Sequence, residues 1–153
     1  MKMKSPLLAC AAALAAITAP LAVAQQDTIN DYVRAMVDGF ADVDETLVGD
    51  IQFQELETDA SAEFVFDIDP AKTYFVYSAF DDDCFDIDLY GQDADEDLVD
   101  ADDEDDATPV LMILPGQSGE ELHVIVELVD CETETCVVGV GLYEAIDEAF
   151  PET

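Results

Sequence analysis

The chain has 153 residues, of which 38 are acidic and four are lysine or arginine, giving a formal net charge of −34. This length allows one domain of ordinary size with a two-layer core. The charge excludes nucleic-acid binding through phosphate contacts, because only Arg34 and Lys72 carry positive charge after the first 24 residues.

Residues Met1–Ala24 have the pattern of a secretory leader. Two lysines precede an apolar stretch, Leu7–Ile17, and small residues then fit a peptidase cut between Ala24 and Gln25. The apolar stretch is too short for a permanent membrane span. We therefore predict a periplasmic or secreted protein that is not inserted in a membrane after leader cleavage. The alternative is a lipoprotein cut at Cys10.

Cleavage before Gln25 would leave 129 residues, with two cations against 38 carboxylates and a net charge of −36. Roughly 45% of these residues are apolar, close to the average of globular proteins. Disorder is thereby excluded for most of the chain.

The first predicted element is an amphipathic helix over residues 28–40, with Asp27 or Thr28 as its N-cap. Its apolar positions, at helical spacing, are Ile29, Val33, Met36, Val37 and Phe40. We expect the helix and a linker, residues 25–45, to cover one edge or end of the domain.

From about residue 46 onward the apolar pattern has period two, which is typical of strands with one buried face. The alternating apolar residues are Phe64, Phe66 and Ile68 in one segment and Phe85, Ile87 and Leu89 in another. Further runs are Leu47–Leu56, Thr73–Phe80, Val110–Leu114, Leu122–Val129 and Val137–Tyr143. Turn residues separate the runs, with no helix between them. The pattern predicts a mostly β domain over residues 46–145, an antiparallel jelly-roll-like β-sandwich of seven or eight strands, followed by a tail at 146–153.

Three cysteines, Cys84, Cys131 and Cys136, remain after the predicted cleavage and would meet an oxidising compartment. Three cysteines allow one intramolecular bridge in three pairings. Four polar residues separate Cys131 from Cys136 between two apolar runs, where a hairpin would place them opposite each other. We predict a structural bridge between these two, with Cys84 free or bridging another chain.

The segment Asp86-Ile87-Asp88-Leu89-Tyr90 resembles the bacterial pre-peptidase C-terminal (PPC) domain, a jelly-roll-like β-sandwich appended to secreted peptidases. The similarity runs from about Leu47 to Tyr143 and includes Lys72-Thr73-Tyr74, Leu98-Val99 followed by acids, and Thr108-Pro109. Two features depart from the family. Asp95-Glu96 stands near an expected Gly-Asn turn, and such domains usually accompany a catalytic domain, whereas nothing else in this sequence is long enough to be one. The resemblance implies a non-catalytic role in secretion, adhesion, or protein or polysaccharide binding, and some related sandwiches bind calcium.

The residues present argue against catalysis. The single histidine, His123, lies on a predicted strand whose alternate residues face the core, so it points outward with Glu127. Gly116-Gln117-Ser118-Gly119 lies between two predicted strands and is interpreted as a hairpin turn instead of a serine elbow. One histidine and bridged cysteines do not supply the ligands of a zinc site. Paired carboxylates could hydrolyse a glycoside, but the chain has no tryptophan to stack on a sugar.

Acidic residues are densest in Asp81–Asp106, with 15 acids among 26 residues. Clustered carboxylates suit calcium. An EF-hand spacing at Asp93, Asp95, Asp97 and Glu104 is rejected, because Leu98 stands where that loop requires glycine. A sandwich-loop calcium site remains, with the candidate ligands Asp81, Asp82, Asp83, Asp86, Asp88, Asp100, Asp102, Asp103 and Asp105. The competing interpretation is a solvated acidic loop in a protein adapted to a salty habitat, since acids are also spread along the rest of the chain.

The predicted function is an exported, non-enzymatic β-sandwich that binds a protein or polysaccharide, with calcium as its candidate cofactor. The alternatives are a structural acidic envelope protein without a defined ligand, a small secreted hydrolase, and a polyanionic inhibitor of a basic partner.

Overall fold

The computed structural model describes residues 19–105 and 108–146, with side chains from residue 25. Within these ranges the chain forms one helix and nine strands in two antiparallel sheets, which confirms the predicted mostly β sandwich. The helix is α1 (Ala19–Phe40) and the strands are β1 (Glu45–Leu47), β2 (Gln52–Glu57), β3 (Ser61–Asp67), β4 (Tyr74–Phe80), β5 (Cys84–Gln92), β6 (Leu98–Asp102), β7 (Val110–Ile113), β8 (Glu121–Cys131) and β9 (Thr135–Ala145).

The strand order is that of a jelly roll. In the first sheet β1 and β2 both pair with β9, which is followed by β4 and β7; in the second sheet the order is β3-β8-β5-β6. Strand β2 pairs with β9, β3 with β8, β4 with β7 and β5 with β6, as in a long antiparallel ribbon rolled onto itself. From β2 onward every connection except β5–β6 crosses from one sheet to the other. Strands β6 and β7 are therefore consecutive in sequence but lie at the free edges of different sheets.

The core fills the space between the sheets and follows the period-two pattern. On β3, Phe64 and Phe66 are buried whereas Val65 is exposed; on β8, Leu122 and Val124 are fully buried on the face opposite His123. These orientations were predicted from the alternation and are confirmed.

Helix α1 covers the outer face of the first sheet, against β9 and β4, instead of the predicted edge or end. Val33 and Val37 lie so close to β9 that a Cβ atom on Gly139 would be 2.7 Å from Val33 Cγ1, and one on Gly141 would be 2.8 Å from Val37 Cγ1. Glycine at these positions lets the helix approach the sheet. Because it is covered on both faces, β9 is buried from Cys136 to Tyr143.

Several predicted elements differ from the structure. The run Leu47–Leu56 is broken at Gly49, whose φ of 73° interrupts the strand. Phe85 was expected in the core, but it is 51% exposed because irregular β5–β8 register around Asp86 changes the phase of the strand. The connections β7–β8 and β8–β9 join different sheets, so neither is the expected hairpin. Most of the acidic segment Asp81–Asp106 is the β5–β6 hairpin and not a loop.

Residues 1–18, with most of the predicted leader and Cys10, lie outside the described part of the chain, as do Asp106 and the tail from residue 147. Within the described part, no helix has the length and apolar character needed to cross a membrane.

Candidate functional site

The nine predicted calcium ligands occupy three places in the fold. Asp81–Asp83 form the β4–β5 connection, Asp86 and Asp88 lie on β5, and the other four lie on β6 and just after it. Asp102 is the register partner of Leu89 on β5. Leu89 is five residues from Cys84, so the two positions are about 16 Å apart along the strand. Asp102 is therefore remote from the β4–β5 connection.

The β4–β5 connection is held by its own carboxylates. Asp81 Oδ2 accepts a hydrogen bond from the Val137 backbone N–H at 2.9 Å, and Asp82 accepts one from the Tyr32 hydroxyl. Partial burial raises the pKa of Asp81, and the neighbouring Asp83 adds to this effect. Together with α1, the connection borders a surface depression of about 390 Å³. On β5, Asp88 accepts a hydrogen bond from the Tyr90 hydroxyl at 3.2 Å.

The carboxylates of β6 close the free edge of β7. The backbone N–H of Val110 donates to Asp102 Oδ2 and that of Met112 donates to Asp100 Oδ2, each at 2.8 Å. Just beyond the strand, the N–H of Leu114 donates to Gln117 Oε1 at 2.7 Å. Because alternate N–H groups of an edge strand point away from its partner, these side chains occupy the donors that β4 leaves unused. Asp100 and Asp102 are thus part of the fold, which the sequence pattern does not show.

A surface groove of about 450 Å³ lies beside these carboxylates. Its apolar part comes from the outer face of the first sheet, where Phe75 pairs in register with Met112. α1 leaves this part of the face uncovered, and Val110 and Met112 are 39% and 48% exposed. The full lining is Phe75, Asp100, Ala101, Asp102, Asp103, Glu104, Val110 and Met112. We call this surface the β6–β7 groove; its lining has four carboxylates and no cation.

A ready calcium site is not formed by the described residues. Among them, no three carboxylates bring oxygen atoms within 4.8 Å of one another. Calcium in a sandwich loop would require six to eight oxygen ligands around one point. The predicted site would therefore require candidate carboxylates to move closer together, and it stays a prediction.

His123 lies on the outer face of the second sheet, as predicted, between two carboxylates. Its Nδ1 is 2.6 Å from Glu63 Oε1 and its Nε2 is 2.8 Å from Glu121 Oε1. Hydrogen bonds to these carboxylates raise the pKa of His123. Since both ring nitrogens face carboxylates, the geometry favours a charged imidazolium in an ion-pair cluster over a free base.

Ser118 has a structural partner. Its side chain is buried in the connection between β7 and β8, and its hydroxyl donates to the Glu121 carbonyl at 3.1 Å. The neighbouring Gly116 has a φ of 79° and donates its N–H to the Pro70 carbonyl at 2.8 Å. Residues 116–119 therefore belong to the turn between β7 and β8.

All three described cysteines meet at one end of the sandwich. Cys136 Sγ contacts the sulfur atoms of both Cys84 and Cys131 at disulfide distance, with Cα–Cα distances of 6.4 and 6.9 Å. One intramolecular disulfide can therefore form, and the predicted pair Cys131–Cys136 is one of its options. Cys84 is 5% exposed, so the prediction that it bridges another chain gains no support from its position.

The sequence pattern missed the groove and the cysteine trio, because both depend on which connections lie side by side after the chain crosses between sheets. No protein-family model matches the chain, and no curated protein is significantly similar to it in sequence.

Proposed function

We propose that the chain is an exported, non-enzymatic binding or accessory module related to PPC domains, and that its ligand site is the β6–β7 groove. The observation that carries this proposal is the combination in one surface of exposed apolar side chains, Val110 and Met112, with four carboxylates. Exposed apolar residues bordered by charge are a common feature of protein interaction sites.

The ligand that suits this groove is an extended protein segment carrying lysine or arginine together with apolar residues. Apolar side chains of such a segment would cover Phe75 and Met112, and its cations would face Asp103 and Glu104. The overall negative charge of the chain would accelerate the approach of a basic ligand and repel an acidic one. Localisation outside the cytoplasm follows from the predicted leader and is part of the proposal.

The test measures binding of a peptide that alternates arginine with leucine, against the same peptide with glutamine in place of arginine, by isothermal titration calorimetry. Met112→Lys places a cation in the groove, and Val65→Lys makes the same charge change at a similarly exposed position on β3. We expect Met112→Lys to weaken binding about tenfold and Val65→Lys by less than about twofold.

Equal effects of the two variants would show that the peptide responds only to overall charge, and would reject the groove. A wild-type protein that binds neither peptide, and that is not retained on polysaccharide or protein matrices, would favour a structural acidic protein instead.

A further inference from the structure

Two connections between the sheets lie side by side at the cysteine end of the sandwich. Cys84 follows the β4–β5 connection, while Cys131 and Cys136 flank the β8–β9 connection. The Glu132 N–H donates to the Asp83 carbonyl at 2.7 Å, and the Asp81 N–H donates to the Val137 carbonyl at 3.1 Å. Backbone hydrogen bonds thus hold the three cysteines together.

The three sulfur atoms are mutually close. In addition to the two contacts of Cys136, the sulfur atoms of Cys84 and Cys131 are 3.0 Å apart, and these two residues are direct partners in the β5–β8 register. A sulfur atom takes part in one disulfide at a time. The trio can therefore hold one bridge and one thiol, and Cys136 can bridge to either neighbour.

The three cysteines differ in accessibility. Cys84 and Cys136 are buried, with 5% and 1% of their surface exposed, whereas Cys131 is half-buried beside the exposed turn 132–134. When Cys84 and Cys136 are bridged, the remaining thiol is the accessible one. When Cys131 and Cys136 are bridged, the remaining thiol is enclosed.

We propose that the trio is a disulfide-exchange centre in which one bridge alternates between Cys84–Cys136 and Cys131–Cys136, and that Cys131 is the site at which the protein forms mixed disulfides with low-molecular-weight disulfides. In the internal step, the Cys131 thiolate attacks Cys136 Sγ, the Cys131–Cys136 bond forms, the Cys84–Cys136 bond breaks, and Cys84 leaves as a thiolate that takes up a proton. No net oxidation occurs. In the external step, the Cys131 thiolate attacks a small disulfide, forms one mixed disulfide and releases one equivalent of the small thiol.

Asp81 is placed to stabilise the state with the Cys131–Cys136 bridge, in which Cys84 is the enclosed thiol. Cys84 Sγ donates to Asp81 Oδ1 at 3.3 Å, a hydrogen bond that is available only when Cys84 is a thiol. In the other state the Cys131 sulfur lies 3.5 Å from Thr133 Oγ1, so the exchange moves the free thiol between an enclosed and an accessible position, each with a side-chain partner.

The test uses the chain with Cys10→Ser throughout, so that the trio carries its only cysteines, and locates the free thiol after air oxidation in two ways. In one sample, acid quenching stops exchange before denaturation and labelling with N-ethylmaleimide; in the other, the native protein is incubated with the same reagent. Peptide mass spectrometry then locates the label. We expect one label per chain in both samples, divided between Cys84 and Cys131 after the quench, and collected on Cys131 in the native protein. With cystamine, a small cationic disulfide that the acidic surface does not repel, we expect one adduct, on Cys131.

Two variants provide matched controls. Cys84→Ser leaves only the Cys131–Cys136 bridge and Cys131→Ser leaves only the Cys84–Cys136 bridge, so neither should take up label in the native state. A label on the same single cysteine in both samples of the chain that keeps the whole trio would overturn the proposal, because the bridge would be static. Labelling of all three cysteines would also overturn it and would favour a thiolate metal site, and no labelling would indicate a bridge to another chain.

Discussion

The two possible bridges should differ in how much they stabilise the fold. Cys131→Ala leaves the Cys84–Cys136 bridge, which joins residues 52 apart in sequence, whereas Cys84→Ala leaves the Cys131–Cys136 bridge, which joins residues five apart. A bridge restricts the unfolded chain more when it closes a longer loop. The chain-entropy relation gives about 4 kcal/mol for the longer loop and about 2 kcal/mol for the shorter one at 25 °C.

The assay is guanidinium unfolding of both variants with and without reductant, followed by circular dichroism. The gain in free energy of unfolding on oxidation is the contribution of the bridge, and the reduced sample of each variant accounts for the cost of the alanine substitution itself. We expect a gain about 2 kcal/mol larger in Cys131→Ala than in Cys84→Ala.

Equal gains in the two variants would refute the reasoning, because they would show that loop length does not govern the stabilisation. A larger gain in Cys84→Ala would refute it as well. No gain in either variant would show that neither bridge forms in the folded protein.

Three further predictions concern the surface charge and the packing of α1. His123→Gln should lower the free energy of unfolding by up to about 1 kcal/mol near pH 5.5 and have little effect near pH 9. The pKa of His123 in the folded protein is raised above 6.5, so the stabilisation by its ion pairs is complete below pH 6.5 and is lost as the pH rises through the folded-state pKa. Urea unfolding at the two pH values checks this, and an effect independent of pH would contradict it. Gly141→Ala should destabilise the fold by about 1–3 kcal/mol, because the added Cβ would overpack against Val37. Gly119→Ala is the control and should be nearly neutral in the same assay, since a Cβ there would meet no atom within 4 Å. Equal losses of stability in the two variants would contradict this packing. Sodium chloride should raise the melting temperature as the Debye length falls from about 30 Å to about 10 Å. The calcium prediction requires a further rise in calcium chloride at the same ionic strength, and equal melting temperatures would reject it.

The sequence pattern predicted the sandwich because most strands have one apolar face that packs against the core. On β3 and β8 the apolar residues at every second position keep one phase, although Val65 and Ile125 are apolar residues at outward positions, so the buried side chains could be identified from the sequence. On β5 the phase changes at the irregular register near Asp86, and Phe85 therefore turns to solvent. The strand β6 was missed because its acidic composition is that of a loop, although its Asp100 and Asp102 are bound to β7.

The cysteine arrangement could be predicted only in part. The short spacing between Cys131 and Cys136 indicated that these two lie close together, and they do. The approach of Cys84 depends on the pairing of β5 with β8, which brings two distant connections to the same end of the sandwich. No local spacing carries that information.

The side-chain acceptors along β7 restrict how this protein can recognise anything at its open edge. An edge strand with free N–H groups can be extended by a strand from another molecule, and such recognition reads mainly the backbone of the partner. Here the N–H groups of Val110, Met112 and Leu114 are already occupied, so an incoming strand would have to displace two carboxylates and an amide. A ligand at this edge would therefore have to be selected by its side chains, and the occupied N–H groups hinder the edge-to-edge pairing of two copies of the protein through β7.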